Sequence, residues 1–422
     1  MLSAGPPTRY LRSRILWPVA APPLDNGALL VAGDTIVAVG RARDLPCPAG
    51  VDRVDLGDVV LMPGLVNAHC HLDYTHMAGQ IAPQASFTDW IKCITALKGT
   101  WTEAEFRASW LAGADSLVRH GVTTVGDIEA LPELLPGVWE GTPLRGISFF
   151  ELTGVKSRRN PAHLLGETLA RADALPRGRW SAGLSPHAPY STVPELLRLS
   201  GEAARARGWR LTIHVAESAE EDAMFRYRHG PLYDWLERNE RDMSDCGEGS
   251  PVEHLERCGL LGEDVIVVHA NYLQTEDMEL LACRGVSVAH CPRSHEYFGH
   301  RPFAWRGLER AGVNLCLGTD SLATVRRRAE PELNLFAEMR EFARFAPEAA
   351  PEHVVRLATV NAARALGLAG RVGVLAPGAW ADAIAVPFAG RGDEVASAVV
   401  AHRGEVAAVL IGGAWIKDGR RL

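Results

Sequence analysis

Two histidines stand two residues apart in Asn67-Ala-His69-Cys-His71-Leu72, at the end of an apolar run. Alternate residues of a strand share a face, so both imidazoles can grip one ion. With 15 histidines in the chain such pairs arise by chance, and the pair alone defines nothing. Two remote residues extend it: His214 follows the run Leu211–Ile213, and Asp320 follows Asn314–Leu317. Three imidazoles and one carboxylate, with a position left open for water, make a catalytic site for zinc or ferrous iron. Glu217 stands three residues after His214 in His214-Val-Ala-Glu217. A turn into helix there swings its carboxylate back beside the ligand, where it can serve as general base. The competing role is an acid stabilised at a helix N-terminus.

Further polar residues also end apolar runs. His269, in Val268-His-Ala-Asn271, is expected to face the ion without binding it and to polarise the attacked group. His187 lies between Pro186 and Pro189 in a loop the prolines fix, and is read as a substrate contact. His290 either orients Asp320 or simply packs. Glu151 either accepts hydrogen bonds from a ribose or amine, or forms a structural pair. Phe87, Trp90, Ile91 and Leu97 can stack on a ring, but apolar residues at helical spacing usually form core, and the sequence favours packing.

Other chemistries lack their motifs. His295-Glu296 followed by His300 misses H-E-x-x-H by one residue, so the two rings do not share a helical face. No G-x-S-x-G elbow, G-x-x-x-x-G-K-[ST] loop or P-C-x-x-C pair occurs. Cys70 and Cys291, beside the candidate ligands, are read as buried small hydrophobes.

These residues need a scaffold that brings them together. Eight short apolar runs alternate with helical patterns: Val59–Val66, Val122–Val125, Leu144–Phe150, Trp180–Leu184, Leu211–Ile213, Val265–Val268, Val286–Ala289 and Asn314–Leu317. Such alternation predicts a (β/α)8 TIM barrel, an α/β fold in which every strand C-terminus opens onto one mouth. No G-x-G-x-x-G supports the rival open sheet. Both chain ends read as strands and turns, including Ala28–Val31, Ile36–Val39, Val406–Ile411 and the Asp418-Gly419 turn. A small β-sandwich from residues 1–62 and 370–422 then flanks a barrel over 63–369, as suits 422 residues when single cores stop growing near roughly 250–300.

Composition narrows the partners. With 47% hydrophobic and 23% charged residues the chain has the makings of a large core. A net charge of −7 gives no positive field for nucleic acid or anionic lipid, and no apolar run spans a bilayer. The eight cysteines show no C-x-x-C spacing, which places the protein in the reducing cytoplasm.

Met62-Pro-Gly-Leu-Val-Asn-Ala-His-Cys-His-Leu72, His214-Val-Ala-Glu217, His269-Ala-Asn271, His290-Cys-Pro-Arg-Ser294, Leu317-Gly-Thr-Asp-Ser321 and Gly370–Asp382 together resemble the amidohydrolase superfamily. The branch resembled comprises chlorohydrolases and the deaminases of guanine, methylthioadenosine, adenosylhomocysteine and aminodeoxyfutalosine. The resemblance implies one metal held by His69, His71, His214 and Asp320, with Glu217, His269 and Asp320 in catalysis and His187 on the substrate. Two-metal members use a carboxylated lysine after the fourth strand; the chain's four lysines, Lys92, Lys98, Lys156 and Lys417, leave none beside His187. Asp73-Tyr74 and His295 depart from the common pattern and are expected to line the substrate pocket. Similarity around Phe87–Ile91 and Phe150-Glu151 implies a small-molecule heterocyclic substrate, adenosine-like with a bulky 5′ group. A homodimer is the implied assembly. The alternatives are halide or cyclic-amide hydrolysis at the same site, and a barrel that has become an inactive scaffold.

Overall fold

The computed structural model describes residues 8–155, 160–326 and 331–418, so Lys156 and Gly419 lie outside it. Five strands open the chain: β1 (Thr8–Leu16), β2 (Leu24–Ala32), β3 (Thr35–Arg41), β4 (Asp52–Asp55) and β5 (Val59–Pro63). β2 and β3 form a hairpin whose two-residue turn starts at Gly33 with φ +59, a value glycine adopts without strain.

The next eight strands are β6 (Leu65–Cys70), β7 (Val122–Glu129), β8 (Arg145–Leu152), β9 (Trp180–Pro186), β10 (Leu211–Val215), β11 (Val265–His269), β12 (Ser287–His290) and β13 (Asn314–Leu317). They pair in sequence order as one parallel sheet, and each overlaps one of the eight apolar runs. β10 and β11 are buried along their whole length, as expected when helices cover a parallel sheet on the outside. The seam between β13 and β6 is closed just past the end of β13: Thr319 and Asp320 N–H both donate to His69 O, at 3.0 and 3.2 Å, and Cys70 bridges to Asp320. The barrel is therefore sewn shut through two of the expected metal ligands.

Three strands follow: β14 (Ala383–Pro387), β15 (Ala408–Ile411) and β16 (Ala414–Lys417). The second sheet runs β16-β15-β14-β5-β1-β2-β3, with β4 against β1, so the two chain ends meet where β14 pairs antiparallel with β5. Leu11, Leu29, Ile36, Leu61 and Leu410 form its own core.

One expected strand divides. Val59–Val66 reads as a single run, but its first half belongs to the mixed sheet and the barrel strand begins at Leu65. The break falls at Pro63-Gly64. Gly64 passes so close to β7 that a Cβ there would lie 2.1 Å from the Thr123 hydroxyl, and its N–H turns aside to Asp382 O at 3.0 Å.

Asp382 also fastens the sheets together. Its carboxylate accepts from Arg145 Nε on β8 at 2.8 Å and from Gly412 N–H at 2.6 Å, and both side chains are nearly inaccessible. Arg145→Ala leaves that carboxylate buried and unpaired, and should cost about 3 kcal/mol in urea unfolding. No helix among the described residues is long and apolar enough to cross a membrane.

Candidate metal centre and active site

The C-terminal ends of β6, β10, β11 and β13 bring five candidate donors together. His69, His71 and Asp320 offer ligand atoms all within 4.8 Å of one another, and so do His69, His214 and His269. Asp320 Oδ1 lies 3.6 Å from His69 Nε2 and 3.7 Å from His71 Nε2, while His71 Nε2 and His214 Nε2 approach to 3.4 Å. His69 is fully buried with neither ring nitrogen hydrogen-bonded. Buried polar atoms normally find partners. Unpartnered imidazole nitrogens converging beside a carboxylate are the donor set a divalent cation would satisfy, so the residues present fit one.

Neighbours orient these donors. His214 Nδ1 donates to the His187 carbonyl at 2.8 Å, which leaves Nε2 with its lone pair toward the cluster. Thr324 Oγ1 donates to Asp320 Oδ2 at 3.1 Å and leaves Oδ1 toward His69 and His71. The sequence left His290 with two readings, that task or simple packing. The structure stacks His290 on Phe303 at 3.7 Å, fully buried with both nitrogens unbonded, which is the packing role. The signal for Thr324 was its hydroxyl four residues after Asp320.

Glu217 follows β10 and is buried. Its Oε1 lies 3.5 Å from His269 Nε2. Burial, with the nearby Asp320 and Glu221 carboxylates, pushes its pKa well above the ordinary range. Burial brings His269 down to about 3, so that ring is neutral. Burial also disfavours charge on Asp320, but the surrounding imidazoles outweigh it and hold this carboxyl well below the usual value. Two carboxyls at one mouth thus have their affinities for a proton driven apart, Glu217 upward, toward a group that can both take and return one, and Asp320 downward, to stay ionised. Ala216, His269, Ala270 and Asp320 take φ of +49, +70, +52 and +53, left-handed values that cluster where the site is built.

The donors floor a cavity of about 360 Å³. His187, Glu151 and Tyr74 line its middle, Tyr74 stacked on His71 with centroids 5.1 Å apart. Burial raises the pKa of Glu151, but the Lys98 ammonium at 3.9 Å and the neighbouring His187 bring it below the usual value, so it is ionised. The outer wall comes from helix α1 (Phe87–Lys98), whose Phe87, Trp90 and Ile91 face the cavity, and from Trp235 and Leu236 opposite. Phe87 is also part of a buried core cluster and Leu97 packs on another, so the stripe both packs and lines the cavity. Sequence reasoning missed Lys98, Trp235 and Leu236, which no local pattern marks. His295, expected in the pocket, lines a separate surface cavity.

A parallel barrel with a histidine and carboxylate cluster at its mouth is the architecture of a metal-dependent hydrolase. The chain belongs to the amidohydrolase family, whose profile matches residues 60–416. It is 30% identical over 380 residues, 87% of this chain and 83% of the other, to a 5-methylthioadenosine/S-adenosylhomocysteine deaminase of Moorella thermoacetica. It is 30% identical over 351 residues, 81% of each chain, to an aminodeoxyfutalosine deaminase of Deinococcus radiodurans. A zinc-bound adenosine deaminase from Xanthomonas campestris superposes with TM-score 0.84 at 25% identity, covering 99% of this chain and 94% of its own.

Proposed function

We propose that the protein is a metal-dependent aminohydrolase that removes ammonia from an aminated N-heterocycle, an adenosine-like purine nucleoside with a bulky 5′ group. One observation carries this reading: a buried Glu217 carboxyl beside neutral His269, at the edge of a cluster of buried imidazoles and a carboxylate, in a cavity walled by aromatic side chains. The relatives that act on adenine nucleosides support the substrate class.

In this account His69, His71, His214 and Asp320 hold one zinc ion, a choice supported by the zinc in the Xanthomonas relative; the same donors suit ferrous iron. When bound, such an ion supplies Lewis-acid activation of water. Glu217 would accept a proton from the attacking water and return it to the ring nitrogen beside the amino-bearing carbon. His269 steadies the charge that develops on the attacking oxygen. Asp320, held ionised, accepts the remaining proton and passes it to the departing nitrogen. The C–N bond breaks, a C–O bond replaces it, and ammonia leaves.

His187, Glu151, Trp90 and Tyr74 are assigned to the substrate, with Glu151 accepting hydrogen bonds from ribose hydroxyls. Glu151→Gln should raise KM about tenfold with kcat held, measured as initial rates of ammonia release. The chemistry is assigned to residues 63–369, flanked by a sandwich of 1–62 and 370–422. A homodimer in the cytoplasm completes the proposal; all eight cysteines being free supports a reducing compartment.

The reading is tested by an ammonia-release screen of the zinc-loaded protein with adenosine, methylthioadenosine, adenosylhomocysteine, aminodeoxyfutalosine, guanine and cytosine. A purine nucleoside should exceed cytosine in kcat/KM by at least about 100-fold. Chloride release from chlorotriazines without any ammonia release would replace it with a halide hydrolase.

A further inference from the structure

Three consecutive carbonyls carry the chain from β10 to Glu217, and each is taken by a donor from the segment after β11. Ala270 N–H reaches Val215 O at 3.1 Å, Tyr272 N–H reaches Ala216 O at 3.0 Å, and Asn271 Nδ2 reaches Glu217 O at 3.0 Å. On the other side of that residue, Glu217 N–H donates to Glu221 Oε2 at 2.8 Å. The first two bonds are made by backbone alone. The one that bears on the Glu217 carbonyl depends on how the Asn271 amide is turned.

That amide is buried and fixed by its partners. A carbonyl can only accept, so Nδ2 faces Glu217 O, and Oδ1 is left facing His295 Nδ1 at 3.0 Å. Oδ1 also only accepts, so the ring hydrogen of His295 sits on Nδ1. The ring is held in turn by His290, edge-on at 5.2 Å, and by Phe345 at 6.1 Å. Ala216, His269 and Ala270 all carry left-handed φ values, which persist only where the surroundings impose them.

We propose that His295 is a positioning residue for Glu217, acting through Asn271: the His295 Nδ1–H locks the Asn271 amide, and the amide pins the Glu217 carbonyl and so the reach of its carboxylate toward His269. The proposal rests on the reading of Glu217 as the proton carrier. His295 does not line the cavity at the metal donors, so its loss acts on the chemical step and leaves substrate binding in place.

The test compares His295→Leu, which deletes the donor, with His295→Asn, whose amide Nδ2 falls near the place of the ring Nδ1. Zinc content is measured for each. In His295→Leu, hydrogen–deuterium exchange of peptides spanning residues 214–222 should quicken about tenfold, and kcat should fall by a similar factor with KM within about twofold. His295→Asn should restore both. Asn271→Leu should match His295→Leu, and the double variant should be no worse than Asn271→Leu alone, because the two act as one unit. Unaltered exchange in His295→Leu would overturn the proposal, and so would an Asn variant as impaired as the Leu one. If exchange responds as expected while the wild-type protein deaminates nothing in the screen, the clamp stands and the assigned reaction fails.

Discussion

Exchange of Glu217 for glutamine should leave the metal content of the protein unchanged and lower kcat about 10³-fold. The amide keeps the volume and polarity of the carboxyl, so the buried position beside His269 remains filled. None of the closely grouped donor atoms belongs to Glu217, so the ion keeps its ligands. What is lost is a group that can accept a proton and give it back, a contribution that positioned acid–base groups make at 10²–10⁴-fold, here estimated near the middle of that range. Because glutamine still accepts and donates hydrogen bonds, substrate affinity should change little. Metal content by elemental analysis and kcat by ammonia release check both halves. A variant retaining near-full turnover would remove Glu217 from the mechanism.

Stripping the ion with a chelator should abolish turnover and destabilise the fold together. An ion that binds only the folded chain stabilises it by RT ln(1 + [L]/Kd), about 4 kcal/mol when free zinc stands at 1,000 times Kd. The donors come from β6, β10 and the turn after β13, so the ion would tie the barrel's closing seam to its far side. Without it, both buried ring nitrogens of His69 have no hydrogen-bond partner. Unfolding followed with zinc, with chelator, and with zinc restored should show loss and recovery of stability in step with activity. In Asp320→Ala the chelator should make no difference, because the site no longer holds zinc at micromolar concentration. A wild-type stability curve indifferent to chelation would contradict this.

Much of this was legible because parallel barrels impose a simple rule: polar residues at strand C-termini share one mouth. His69, His214, His269 and Asp320 each end an apolar run, and the structure gathers them. What was not legible depends on contacts remote in the chain. Trp235 and Leu236 sit on a surface-patterned helix, and only its packing against α1 brings them to the cavity. Lys98 was read as merely absent from the neighbourhood of His187, yet α1 carries it to Glu151. The split at Gly64 follows from the close approach of Thr123, which the local sequence does not announce. His295 was read as a pocket residue from its place in a motif; its ring turns instead toward Asn271, behind the mouth.

A crystal structure of the zinc-loaded protein tests the central claim most directly, through anomalous scattering at the zinc edge. The account predicts one ion with His69, His71, His214 and Asp320 as protein ligands, each about 2.0–2.2 Å away. An ion bound elsewhere, or these four donors spread more than about 6 Å from any common centre after zinc loading, would contradict it.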